Sequence, residues 1–251
     1  MNLVRRDLKV RHRGTFLGML WSLATPLLTV GLYSFIFRFI LNSSPAQEAR
    51  NVPFAIYFFA GLSLWNLLNN SLGSAAGSVI GSGYLLRKVY FPRAILPLTS
   101  VLSAAVTFLF EGAVLVVAIV LFVGLPGLQV LWVPMIVVLV ALLAYGVGLF
   151  LAALTVFFRD VQHFIGIALQ LWFWGMPIIY SLSFVAHKPS FVRLLQLNPM
   201  TGPVVSFRNV LLLDTQPDWK LLGYTLVVSI VMLLVGGTYY ARTQRLFAEI
   251  V

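Results

Sequence analysis

The chain has no cysteine among its 251 residues. Disulfides, thiolate nucleophiles and cysteine-ligated metals are thereby excluded. Its three histidines, His12, His163 and His187, lie far apart and form no ligand spacing, so a metal site is not expected. Charge is sparse: 10% of residues are Asp, Glu, Lys or Arg, and seven acids stand against 17 bases. No G-x-x-x-x-G-K-[ST] loop occurs, which argues against nucleotide binding by that route. No Ser/His/Asp set or carboxylate pair is placed for hydrolysis. The N-terminus opens polar and basic and lacks a small-residue cleavage site before the first apolar run, so a cleavable signal peptide is not expected. Strand-like alternation is also missing, which disfavours a β-barrel.

What remains is apolar. Hydrophobic residues make up 60% of the chain and mean hydropathy is +0.96. Soluble domains hold about a quarter charged residues, so this composition is that of an integral membrane protein. Several apolar runs reach the roughly 20 residues that a helix needs to cross the hydrocarbon core. The expected architecture is an all-α membrane protein of one domain, residues 1–251, with six transmembrane helices. They run from Trp21 to about Leu41, Pro53 to about Leu72, Pro97 to about Phe122, Val130 to about Phe157, Val161 to about Tyr180, and Leu221 to about Tyr239. Gly73–Ser74, Gly77–Ser78 and Gly81–Ser82 recur every four residues, a stripe of small residues that allows another helix to approach closely.

Three segments are not spans. Residues 1–19 place Arg5, Arg6, Lys9 and Arg13 on one helical face, and Asp7 can pair with Arg11, four residues on. This pattern fits an amphipathic helix lying in the membrane interface; a positive leader is the plainer alternative. Residues 84–93, preceded by Gly81–Ser82–Gly83 and punctuated at the end by Pro92 and Pro97, form a short basic-aromatic island containing Arg87, Lys88, Tyr90, Phe91 and Arg93. Such a short helix suits docking onto a soluble partner, and a loop that only sets topology is the alternative. Residues 181–218 are moderately apolar but broken by Pro189, Pro199 and Pro203. Two half-helices, around Phe191–Leu197 and Val204–Leu213, would fit a re-entrant outer region that protein or water must cover; a surface loop is the alternative. Arg193 and Arg208 there are candidate exit residues for an anionic lipid or sugar phosphate, with snorkelling as the simpler role.

The cations set the topology. Arg5, Arg6, Lys9, Arg11, Arg13, Arg87, Lys88, Arg93, Arg159, Arg242 and Arg245 all fall on one side, which makes both termini cytoplasmic. They flank spans and form no single soluble patch, so they fit anionic headgroups and not nucleic acid. Glu111 is the one acid deep in a span, and Arg38 reaches comparable depth, so the two form a candidate intramembrane charge pair whose simplest role is packing, with a role in transport as the alternative. Aromatics make up 14% of the chain. Sugars pack their C–H faces on aromatic rings, and an aromatic-lined conduit lets a polymer slide. Most membrane aromatics are packing or interface anchors. Tyr57, Phe58, Trp65, Trp172, Trp174 and Tyr180 are the candidate channel-lining residues.

The motifs taken together resemble a family. Arg6-Asp7-Leu8-Lys9-x-Arg11-His12 followed by Leu17-Gly18-x-x-Trp21-x-x-x-x-Pro26-Leu27 is similar to the N-terminal signature of ABC polysaccharide-exporter permeases. Lys88-Val89-Tyr90-Phe91-Pro92-Arg93 with Pro97 resembles their first cytoplasmic coupling segment. Phe158-Arg159-Asp160-Val161 and Pro177-x-x-Tyr180 resemble the two ends of their fifth span. Asn198-Pro199-Met200 and Phe207-Arg208 resemble their outer re-entrant region. The likeness covers nearly the whole chain; His12 stands where the family usually has Tyr. It implies a bacterial inner-membrane permease homodimer paired with a separate ABC ATPase subunit. ATP and Mg would be bound by that subunit, with no cofactor in this chain. It also implies a lipid-linked polysaccharide (O-antigen, capsule or teichoic-acid type) moving through a channel at the dimer. The competing functions are an ABC exporter of drugs or small lipids and a non-transport scaffold for a glycosyltransferase.

Overall fold

The computed structural model describes residues 21–36, 52–84 and 91–247. The expected interface helix with Arg5, Arg6, Asp7, Lys9, Arg11 and Arg13 lies outside the described residues, as do Arg38, Arg87, Lys88 and Tyr90. The described residues form α-helices and short 3₁₀ turns, with no strand among them.

In chain order the helices are α1 (Trp21–Phe35), α2 (Phe54–Ser78), α3 (Ile95–Phe122), α4 (Val133–Phe157), α5 (Val161–Trp174), α6 (Pro189–Gln196), α7 (Thr201–Leu212) and α8 (Trp219–Thr243). Among the described residues, three stretches are long and apolar enough to cross a membrane: Ile95–Phe122, Leu128–Phe157 and Trp219–Leu246. The chain is therefore a multi-pass membrane protein. Local chemistry sets the ends. Pro97 and Pro134 sit in the first turns of α3 and α4, where no intrahelical N–H is needed. α3 stops at Gly124, whose φ of 130° is open only to glycine, and the Val123 and Gly124 N–H groups both close onto the Ile119 carbonyl. Asp218 caps α8, its side chain accepting from the Leu221 N–H at 3.1 Å.

α2 is the hub, packed against α3, α4, α7, α1 and α5. It is buried from Ile56 to Ala76 at most positions. Protein surrounds it on most sides, so it tolerates Asn66, Asn69, Asn70 and four serines. Three of those serines return their hydroxyls to the preceding turn: Ser63 to the Ala60 carbonyl, Ser71 to Leu67 and Ser78 to Ala75. A second, smaller core closes the end of the bundle where α2 and α4 finish and α3 begins; Val79, Leu96, Leu149, Val156, Tyr240 and Phe247 fill it.

Two expectations are corrected. The fifth span does not run to Tyr180: α5 ends at Trp174, where the Gly175 N–H bonds to the Leu171 carbonyl at 3.2 Å. Its 14 residues rise about 21 Å, short of the roughly 30 Å hydrocarbon core. Pro177 cannot continue a helix, and Met176 to Ile179 turn into the core. The Gly-Ser stripe is not where helices approach most closely. A Cβ on Gly73 or Gly81 would meet nothing within 4 Å, and one on Gly77 meets only the end of Gln162. Backbone contact occurs instead between α4 and α8: a Cβ at Gly236 would collide with the Gly146 carbonyl oxygen, and one at Gly146 would lie 2.6 Å from the Leu233 nitrogen.

Candidate functional site

α1, α2 and α5 together line a hollow of about 240 Å³ formed by Tyr33, Trp65, Asn69, Gly166, Leu169, Gln170, Phe173 and Trp174. Spacing explains the composition. Trp65 and Asn69 are four apart on α2, and Gly166, Leu169, Gln170, Phe173 and Trp174 recur at three and four on α5, so each helix offers one stripe. The rings brace one another: Trp65 meets Trp172 edge-on at 6.1 Å and Phe173 at 5.9 Å, and Phe173 meets Trp174 at 5.7 Å. Trp172 is oriented from behind, its indole N–H donating to Asn198 Oδ1 at 2.9 Å, while the Asn198 amide donates to the Gly175 carbonyl at 3.1 Å. Trp65 is buried, but Trp174 is 55% exposed and Gln170 and Gly166 are exposed. The hollow therefore offers flat rings beside two carboxamides, an arrangement that can stack on an apolar face and hydrogen-bond to hydroxyls.

The six aromatics expected to line one channel separate into different places. Trp65 and Trp174 line the hollow, and Trp172 backs it. Phe58 is fully buried, stacked on Phe54 at 5.9 Å and tilted against Tyr33 at 5.0 Å. Tyr57 is buried beneath a guanidinium two turns before Trp65 on α2, and Tyr180 is half-buried beyond the end of α5. Tyr33, Phe173, Asn69 and Gln170 were not singled out from sequence. The two amides, each within an apolar helix, were the available signal.

The charged candidates also part company. Arg193 is exposed on α6. Arg208, expected beside it at an exit, is instead only 3% exposed. Its Nε donates to the Tyr57 carbonyl at 3.1 Å, one terminal nitrogen donates to the Pro177 carbonyl at 2.6 Å, and the other donates to the Ile178 carbonyl. The guanidinium lies 3.8 Å from the Tyr57 ring centroid and fills the space a side chain at Gly61 would need. Its fork is occupied by backbone, so it clamps α7 to α2 and to the turn after α5. Glu111, on α3, is 1% exposed, and the Asn66 amide contacts both its oxygens at 3.2 and 3.3 Å. Arg38, its expected partner, lies outside the described residues.

Of the expected docking residues, Phe91 and Arg93 are described. Phe91 packs on the smaller core. Arg93 is held in both directions: its guanidinium donates to the Gln244 carbonyl, and its own carbonyl accepts from the Tyr240 hydroxyl at 2.9 Å. The Tyr145 hydroxyl donates to the next carbonyl, Ala94, at 3.3 Å.

The ABC-2 type transporter family matches residues 1–212. The O-antigen export system permease protein RfbA of Myxococcus xanthus is 30% identical over 249 residues, covering 99% of this chain and 94% of that protein. One of the same name from Klebsiella pneumoniae is 28% identical over 250 residues, covering 99% and 93%. With apolar helices long enough to cross a membrane and a family match over most of its length, the chain belongs to the ABC-2 type transporter family, whose members are membrane permease subunits and not enzymes.

Proposed function

We propose that this chain is the permease of an ATP-driven exporter that moves lipid-linked polysaccharide across the bacterial inner membrane, through a channel formed between two copies. The observation that carries this is the hollow on α1, α2 and α5. Asn69 and Gln170 place carboxamides on a face that the described residues leave open. In lipid an uncovered amide costs several kcal/mol, of order 2–7, so this face needs protein or water over it. A second copy across the same face supplies both, and a conduit walled by Trp65, Phe173 and Trp174 suits a chain of sugars. The relatives' name, O-antigen export system permease, supports the substrate class.

In this scheme ATP and Mg bind a separate ABC ATPase subunit, docked on residues 84–93 and aided by the N-terminal interface helix. Both termini are cytoplasmic. The segment 181–218 re-enters the outer leaflet, with α6 and α7 as its two half-helices and Arg193 toward anionic lipid. Buried α7, wedged against α2, α4 and α8, supports that placement. Six spans are retained if α5 and the turn after it cross together with α6 and α7.

The test is export itself. In cells lacking this gene, complementation with Trp174→Ala or with Gln170→Leu should leave protein level intact. Surface polymer, read by immunoblot of whole cells, should fall by about tenfold for each, the equivalent of about 1.4 kcal/mol, with polymer accumulating inside. Full surface polymer with both substitutions combined would remove the channel assignment. Loss of drug resistance with normal polymer would point to the small-molecule exporters instead.

A further inference from the structure

α8 is attached at both ends to the elements that any docking-driven transport cycle has to connect. At its basic end the Tyr240 hydroxyl donates to the Arg93 carbonyl at 2.9 Å, and the Arg93 guanidinium donates back to the Gln244 carbonyl. Phe247 packs edge-on against Tyr240 at 5.2 Å and Phe157 at 6.4 Å, which fixes the ring that carries the hydroxyl. At the other end, Tyr224 donates to the Leu197 carbonyl at 2.8 Å and Thr225 donates to the Pro199 carbonyl at 2.7 Å. These two carbonyls bracket Asn198 in the α6–α7 connection. The same end is seated closely, since a Cβ on Gly202 would lie 2.7 Å from the Leu221 carbonyl.

Between the ends, α8 lies along α4 and touches it backbone to backbone at Gly146 and Gly236. No side chain cushions that contact, so it resists compression and permits rocking. Gly236 is about 10 Å from Thr243 and about 26 Å from Trp219 at 1.5 Å per residue. A tilt about this point moves the outer end over twice as far as the basic end.

We propose that α8 is a lever pivoted at Gly146–Gly236, with Tyr240 as its input contact and Tyr224 and Thr225 as its output contacts. Displacement of the segment ending at Arg93–Ala94 tilts α8 and shifts the α6–α7 connection. Through Asn198 that shift reaches Trp172, behind the aromatic hollow. These are positioning residues: none of them faces the hollow. The proposal rests on the assignment of residues 84–93 as the ATPase docking segment.

The test uses the complex of permease and ATPase subunit in lipid nanodiscs. The chain has no native cysteine, so Ser190→Cys, exposed near the start of α6, is a clean reporter. Its labelling rate with a maleimide is measured with and without ATP and vanadate. Tyr240→Phe should shrink the nucleotide-dependent change by about fivefold, the scale of one lost hydrogen bond, while ATP hydrolysis and co-purification persist. Thr225→Val with Tyr224→Phe should do the same from the other end. Because both cuts sever one linkage, combining them should cost no more than either alone. Multiplicative losses, or a reporter indifferent to nucleotide in the unsubstituted complex, would overturn the lever. The docking assignment fails separately, if Tyr90→Ala with Phe91→Ala leaves ATPase binding and export unchanged. The lever keeps an independent readout in the permease alone, where Tyr240→Phe should speed amide exchange around residues 197–202. Unchanged exchange there would count against it.

Discussion

Arg208 must spend its donors without water, and it does so on carbonyls that the fold aims at one point: Tyr57 from α2, and Pro177 and Ile178 from the turn after α5. Replacing it with methionine keeps an unbranched stem, removes the guanidinium beside Gly61 and strands those carbonyls. We expect Arg208→Met to lower stability in detergent by roughly 3 kcal/mol, since each buried group left unpaired costs about 1–3, read as a fall in thermal unfolding temperature. Lysine should rescue only part of this, because an ammonium has no planar fork to span three acceptors. Gly61→Ala should destabilise by itself, its methyl colliding with the guanidinium, and that cost should vanish in the Arg208→Met background. Additive losses would mean that the two do not share one space. The identity of such residues was legible only in outline. A lone arginine in an apolar segment signals a special role, but its sequence neighbours say nothing of Tyr57 or Pro177, which lie 151 and 31 positions away. Asn69 and Gln170 escaped notice for the same reason: the stripe they complete is shared by two helices distant in sequence.

Elements were more legible where punctuation is strong. Expected half-helices near Phe191–Leu197 and Val204–Leu213 correspond to α6, Pro189–Gln196, and α7, Thr201–Leu212. Both observed helices begin earlier because Pro189 and Pro203 occupy first-turn positions, where proline is tolerated. The ends of α3 and α4 were legible for the same reason, at Pro97 and at Gly124–Gly127. The fifth span reads too long in sequence because Gly175 to Tyr180 stays largely apolar after helix geometry has ended, and hydropathy does not separate a spanning residue from a buried turn. The depth of α6 and α7 in the bilayer distinguishes a re-entrant segment from a surface loop. Single cysteines at Leu194, 62% exposed, and at Val205, half-buried, settle it. If the segment re-enters the outer leaflet, labelling of both by a membrane-impermeant reagent should be slow and lipid-borne quenchers should dim a fluorophore at Leu194. Rapid, complete labelling of both with no quenching would mean a surface loop.

At the scale of the molecule, the surface is not uniform. Most of the exposed area on α3 and α8 is aliphatic, from Leu109 and Val117 to Val227 and Leu234, and suits lipid. The exposed side of α5 is different: Gln162, His163, Gly166 and Gln170 alternate with Phe164, Ile167 and Leu171. A helix that polar is poorly suited to lipid, and one so apolar is poorly suited to open water, so the side fits a seam between copies with a hydrated conduit along it. The amides and rings of the hollow lie on the same side, so pairing two copies there covers the polar groups and closes the conduit in one step. Position 166 tests this directly, because a Cβ there meets nothing within 4 Å and a cysteine fits without strain. Gly166→Cys should form a cross-linked dimer with a bismaleimide in native membranes, and Val227→Cys, on the lipid-suited side of α8, should not. If position 227 cross-links and position 166 does not, the copies meet through α8. The polar side of α5 would then need a different cover, and the channel could not run where Trp65 and Trp174 stand.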